Sequence, residues 1–244
     1  MQNYPIGTPG KPWGDEEKAQ WKAQQRIQRS YKEEVLDKLN NIIPDGFSLK
    51  QYGALPYDEA RYPLFAVLPT SFDPNKPSAL VTGGVHGYET SGVQGALQFI
   101  ATKLSEYSKD CNIVVVPCVS PWGYETINRW NPLALDPNRS FFENSPAPEA
   151  AQLMTLIDEL NIPLSLHIDL HETTDTDNSE FRPALAARDG TTHDNWNIPD
   201  GFYTVANTPN PQIAFQESVI NAVKQVTHIA PPDDNGKIIG ADVV

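Results

Sequence analysis

Two cysteines are all that the chain carries, and Cys111 and Cys118 flank the apolar run NIVVVP. Seven residues of extended chain span about 23 Å, far beyond the roughly 7 Å that a disulfide bridges. A cystine-stapled fold is therefore excluded, and both thiols are expected as reduced, small core residues. With no cysteine or histidine beside them at ligand spacing, they are not read as a zinc site. Positive charge is short as well: 18 Lys and Arg against 31 Asp and Glu leave a net charge of −13. A nucleic acid or an anionic membrane would meet a repulsive field, so neither is expected as a partner, and small or cationic substrates suit the chain better. No apolar run approaches the ~20 residues that cross a bilayer. The opening MQNYPIGTPGKPWGDEEK lacks the basic start and apolar core of a secretory leader, which makes a cytoplasmic location the expectation. Repeats, low-complexity tracts and interdomain linkers are missing too, so residues 1–244 are expected to form one catalytic domain around one core.

What is present alternates between strand and helix. Residues 15–40 are rich in Glu, Lys, Gln and Arg with Trp21, Ile27, Val35 and Leu39 at helical spacing, which predicts an exposed N-terminal helix. PLFAVLP and ALVTGG read as strands, and HGYETSGVQGALQFIATKL then turns helical with Val93, Leu97, Ile100 and Leu104 on one stripe. NIVVVPCV is a β-branched run of the kind buried on both sheet faces, and PAPEAAQLMTLIDEL is a helix opened by proline. PLSLHIDL and GFYTVA read as further strands. PNPQIAFQESVINAVKQV reads as a last helix with Ile213, Ser218, Ile220 and Val223 inward. The pattern predicts an α/β fold with a mixed, largely parallel central sheet flanked by helices. The tail from His228 has no terminating element, so the fold is expected to be cut short at its C-terminus.

A catalytic zinc needs three protein ligands and one open position. His86 and Glu89 stand three residues apart at a strand-to-helix turn, where Gly83, Gly84 and Gly87 let the backbone turn tightly. Spacing alone carries little weight: 5 His and 14 Glu in 244 residues produce about 0.3 such pairs by chance. A third ligand must come from another strand ending at the same sheet edge, and His171 lies 82 residues beyond Glu89. Alternation puts Leu164, Leu166, Ile168 and Leu170 on one face and Ser165, His167, Asp169 and His171 on the other. His171 sits at the strand exit, where ligands of open α/β sheets gather, whereas His167 lies about 13 Å back. The expected ligands of one zinc ion per chain are thus His86, Glu89 and His171, with Asp169 or His167 orienting them. Without further context, His86 and His171 fit hydrogen-bonded loop residues equally well. His193 and His228 read as solvated.

SPWGYETINRWNPLALDPNRSFF then places Arg129, Asn131, Asn138 and Arg139 in one loop. Two guanidiniums in so acidic a chain fit a clamp for a substrate carboxylate. They fit equally a pair that pins the loop to Asp136 or Glu143.

Taken together, GGVHGYET, NRWNPLALDPNRSF and DLHE resemble the zinc carboxypeptidase family in order, spacing and residue type, over residues 79–172. The resemblance implies a mixed sheet between helices, metal ligands at His86, Glu89 and His171, a carboxylate-gripping pair at Asn138 and Arg139, and a carbonyl-polarising Arg129. It implies hydrolysis, by zinc-activated water, of a C-terminal peptide or amide bond next to a free carboxylate. Two parts of the family pattern are missing. Its general-base glutamate lies on a late strand, and no glutamate occurs between Val226 and Val244; its substrate-capping tyrosine has no match. Glu172 points away from His171 along an extended chain, Asp175, Asp177 and Glu180 fall in a loop, and Glu217 reads as helix surface. The base is therefore expected beyond residue 244. Deacylases of the aspartoacylase and succinylglutamate desuccinylase type share the DLH ligand and can use the same clamp, which makes N-acyl amino acids the alternative substrates. A metal- or peptide-binding module without activity is the third reading. The sequence sets no oligomeric state.

Overall fold

Runs of β-branched residues build the middle of the fold. The computed structural model describes residues 4–174 and 176–243. They divide into two units, Trp13–Glu172 on one hand and Met1–Pro12 with Thr173–Val244 on the other. The first unit holds a five-stranded sheet of β1 (Phe47–Ala54), β2 (Pro63–Pro69), β3 (Ser78–Gly83), β4 (Asn112–Val116) and β5 (Leu164–Leu170), in the order β1-β2-β4-β3-β5. β3 runs parallel to β4 and β5, whereas β2 is antiparallel to β1 and β4. The mixed α/β class expected from the sequence is the one observed.

Every residue of β3 and β4 is buried, as the unbroken apolar runs require. Ala66, Leu68, Leu80, Val114 and Val116 form a cluster with Leu153 and Leu156 of the helix α6 (Pro148–Leu160). Pro148 starts α6 where a missing N–H costs nothing, and Asn161, left-handed at φ 47°, ends it. On the other side α3 (Thr90–Thr102) packs on β3 and β5 with Val93, Ala96, Leu97 and Ile100 buried. Burial of each such side chain contributes about 1.5–3 kcal/mol. Cys118 is buried as expected; Cys111 is only partly so, and both are free thiols. The stripe predicted from the sequence is the buried one, with Leu104 opening the short helix α4 (Leu104–Tyr107).

The single N-terminal helix predicted over 15–40 is instead α1 (Asp15–Gln24) and a second helical stretch from π-helical Lys32–Leu36 into α2 (Asp37–Ile42). Glu125 O draws the chain out of the helix by accepting from Gln28 N and Arg29 N, a tertiary bond that outweighs local propensity. A short helix α5 (Pro121–Thr126), unforeseen in the sequence, follows β4.

The second unit contains α7 (Arg182–Asp189), α8 (Ile213–Val223) and a two-residue ladder of β6 (Lys237–Ile238) with β7 (Ala241–Asp242). GFYTVA does not make a strand. Only Phe202 pairs, with Ile229, and Val205 is exposed, because one residue pair is no ladder. The inner face predicted for α8 is also corrected: Ile213 and Ser218 are exposed, and the buried residue is Gln216, whose Nε2 donates to Pro211 O. Among the described residues no helix is long and apolar enough to cross a membrane.

Candidate metal centre

Parallel neighbours end at the same edge of a sheet, and this brings together residues 82 positions apart. Gly83 closes β3 beside Leu170 of β5, so the turn that carries His86 and Glu89 meets His171 as it leaves β5. Two glycines let the backbones approach. A Cβ on Gly87 would lie 2.0 Å from Tyr124 N, and one on Gly92 2.3 Å from Leu170 O. Both distances are impossible for any side chain, so α3 lies against the exit of β5 only because residue 92 has none.

At this edge the ring centroids of His86 and His171 are 4.9 Å apart. Each imidazole turns Nδ1 to the Glu89 carboxylate, His86 at 2.7 Å from Oε1 and His171 at 2.8 Å from Oε2. Each is held from behind by a second carboxylate. His86 Nε2 is 3.0 Å from Asp136 Oδ1, and His171 Nε2 is 2.5 Å from Asp169 Oδ2. Thr82 Oγ1 donates to Asp169 Oδ1 at 2.6 Å and lies 2.9 Å from His167 Nε2. The polar row of β5 is thus a hydrogen-bonded chain, with Asp169 against His171 and His167 one step back. His86, Glu89 and His171 each offer a ligand atom within 4.8 Å of the others.

Glu89 stands at the N-cap of α3, yet its carboxylate makes no cap bond. Glu172 takes that duty: its Oε2 accepts from Ser91 N at 3.0 Å and Ser91 Oγ at 2.9 Å, where a negative charge suits the helix start. The Glu172 N–H in turn donates to Glu89 Oε2 at 3.0 Å.

Electrostatics follow from these contacts. Burial alone would raise the Glu89 pKa, but hydrogen bonds from His171 and His86 outweigh it and lower it to about 2. Burial likewise opposes charge on His171, and its bonds to Asp169 and Glu89 win, raising its pKa to about 10. Asp136 resists burial through His86 and Arg129 and lies well below the ordinary carboxylate range. His167, with burial as its main influence, is lowered.

The two loop arginines have different surroundings. Arg129 Nε donates to Asp136 Oδ2 at 3.2 Å, and its Nη1 lies 3.5 Å from Tyr88 Oη. Arg139 ends the 3-10 turn Pro137–Arg139 with its side chain exposed, and among the described residues its guanidinium has no partner. Asn138 is tied by its backbone N–H to Asp136 Oδ1 at 2.9 Å. Asp136, a carboxylate that binds an arginine, a histidine and a backbone N–H, was not foreseen as a support of His86; no periodicity marks a contact across 50 residues. Of the carboxylates considered as a base, Glu180 and Glu217 are exposed in the second unit, Asp177 is buried there, and Asp175 lies outside the described residues.

A mixed sheet with a His-x-x-Glu pair and a distant histidine at one edge defines the carboxypeptidase-like class of hydrolase folds. The succinylglutamate desuccinylase/aspartoacylase catalytic domain family matches residues 75–197, half of the chain, and the chain belongs to that family. Two crystal structures share the fold, each named “putative metallopeptidase”. The one from Shewanella amazonensis SB2B is 22% identical, with a TM-score of 0.60 over 86% of this chain and 76% of that one. The one from Shewanella denitrificans OS217 is 18% identical, with a TM-score of 0.59 over 86% and 69%. No protein of curated function matches the chain.

Proposed function

We propose that the chain is a zinc-dependent hydrolase that cleaves an amide bond next to a free carboxylate, with C-terminal peptide bonds as its first substrate class. The observation that carries this reading is the pair of imidazoles presenting Nδ1 to Glu89 while a separate carboxylate holds each Nε2. That is how metal-binding histidines are oriented. Two nitrogens and a carboxylate fit zinc, whereas calcium and magnesium take oxygen alone. His86, Glu89 and His171 would hold the ion. Bound with one position open, it would supply Lewis-acid chemistry, lowering the pKa of a water and polarising a carbonyl.

The remaining work falls to the chain. Arg129 would donate to the oxygen on which charge develops, with Asp136 fixing its orientation. The exposed fork of Arg139, with the Asn138 amide, would grip the substrate carboxylate and set the scissile bond in place. Glu89, Asp136, Asp169 and Glu172 each already serve a histidine, an arginine or a helix end, so the proton acceptor of this reading lies outside the four.

The family match favours a second reading, a deacylase of N-acyl amino acids. One assay separates them. The zinc-loaded protein is offered peptides with free C-termini, the same peptides amidated, and N-acyl amino acids. Turnover of free peptides alone supports the first reading, and of N-acyl amino acids alone the second. Binding of one zinc per chain without any turnover sinks both.

A further inference from the structure

The loop that carries Arg129 and Asp136 is held by its own hydrogen bonds. It is organised by Asn131, 1% exposed, on which four hydrogen bonds of the loop converge. Asn131 Oδ1 accepts from Leu133 N at 3.0 Å and Leu135 N at 3.1 Å. Its own N–H donates to Leu135 O, and its C=O accepts from Ala134 N, both at 2.9 Å. This knot returns the chain from Arg129 to Asp136 through Ala134 at φ 56°, a left-handed conformation that alanine adopts only when its surroundings impose it.

A carboxyl group holds the knot from outside. Asn131 Nδ2 donates to Glu149 Oε2 at 3.0 Å, and Tyr57 Oη lies 3.5 Å from the same oxygen. Glu149 is completely buried on the first turn of α6, and among the described residues its Oε1 has no hydrogen-bond partner. An orphaned oxygen in the core costs on the order of 1–3 kcal/mol, a cost that packing alone gives no reason to keep. We propose that Glu149 is a positioning residue of the hydrolytic site: through Asn131 it fixes the turn that sets Arg129 and Asp136 against His86. This rests on the reading of Arg129 and Asp136 as parts of that site.

The test compares the zinc-loaded parent with Glu149→Ala, Glu149→Gln and Asn131→Asp. Gln keeps an acceptor for Asn131, whereas Asp at 131 keeps the acceptor for Leu133 and Leu135, removes the amide donor to Glu149 and sets a second carboxyl group against it. In E149A and N131D, amide exchange at Leu133 and Leu135 should accelerate about tenfold or more, with β3 and β4 amides unchanged. The kcat on the substrate that the parent turns over best should fall about tenfold or more, with KM within about twofold, because Arg129 serves the reacting bond rather than the grip. E149Q should stay within about threefold of the parent in each measurement. Parent-like exchange and kcat in N131D, or an E149Q variant as impaired as N131D, overturns the proposal; N131D decides it even where E149A does not fold. If the parent hydrolyses nothing, the functional reading fails by itself, while the exchange rates still report whether Glu149 holds the turn.

Discussion

Replacing Glu149 with glutamine should change how stability depends on pH more than stability itself. Burial is the main influence on this carboxyl, and although Asn131 and Tyr57 favour its charged form, its pKa rises from 4.5 to about 7. The ionisable groups that face it are Tyr57 and, from β1, Tyr52, whose own pKa values are raised, so neither supplies a compensating positive charge. The folded state therefore holds this proton more tightly than the unfolded chain does. The resulting stabilisation is fully present below pH 4.5, is lost as pH rises through about 7, and is absent above. At ~1.4 kcal/mol per tenfold change in proton affinity, the difference between the two states is about 3 kcal/mol, an upper figure for a group around which the core relaxes. Glutamine cannot ionise. Any weakening of its bond to Asn131 costs about 1 kcal/mol at every pH, so the slope rather than the offset carries the test. Thermal unfolding of both proteins from pH 5 to pH 8 should show the variant gaining on the parent by up to about 6–12 °C. A gap between the two melting curves that stays constant over this range refutes the reasoning, since Glu149 would then be ionised throughout or hydrated.

Other substitutions address the site directly. Metal analysis of His86→Ala should show loss of bound zinc, and an unchanged stoichiometry would contradict the ligand assignment. Asp136→Asn removes the charge behind His86 and beside Arg129; zinc affinity measured by competition with a chelator should weaken about 10- to 100-fold. Arg139→Lys replaces a fork by a point charge and should raise KM for a carboxylate-bearing substrate about tenfold with kcat little altered; a KM that does not move removes Arg139 from the grip. Gly92→Ala puts a methyl group where Leu170 O stands, 2.3 Å away, and should destabilise the protein by about 1–3 kcal/mol in chemical denaturation.

The residues that converge were legible in the sequence where a local rule exposes them. Three-residue spacing at a strand-to-helix turn pointed to His86 and Glu89, alternation put His167 and His171 on one face of a strand, and position at the strand exit chose His171. What the sequence concealed was mostly carried by contacts without period. Asp136 supports His86 from 50 residues away, and Glu172 caps α3 across 81 residues, a duty that helix rules assign to a neighbour in the chain. The predicted helix over 15–40 failed for the same reason, since Glu125 O competes for the backbone of Gln28 and Arg29. GFYTVA has strand composition, but composition does not provide a partner. The arginine loop shows the limit most clearly: its residues fitted a clamp and a brace alike, and in the structure Arg129 is bonded to Asp136 while Arg139 faces solvent.

The bond from the Glu172 N–H to Glu89 Oε2 and the cap from its carboxylate to Ser91 make a single residue fasten α3 to the end of β5. Helix and strand there form a seam that runs straight through the ligand set. An ion held by His86, Glu89 and His171 would bridge that seam, so crowding the junction at residue 92 should quicken its escape into a chelator.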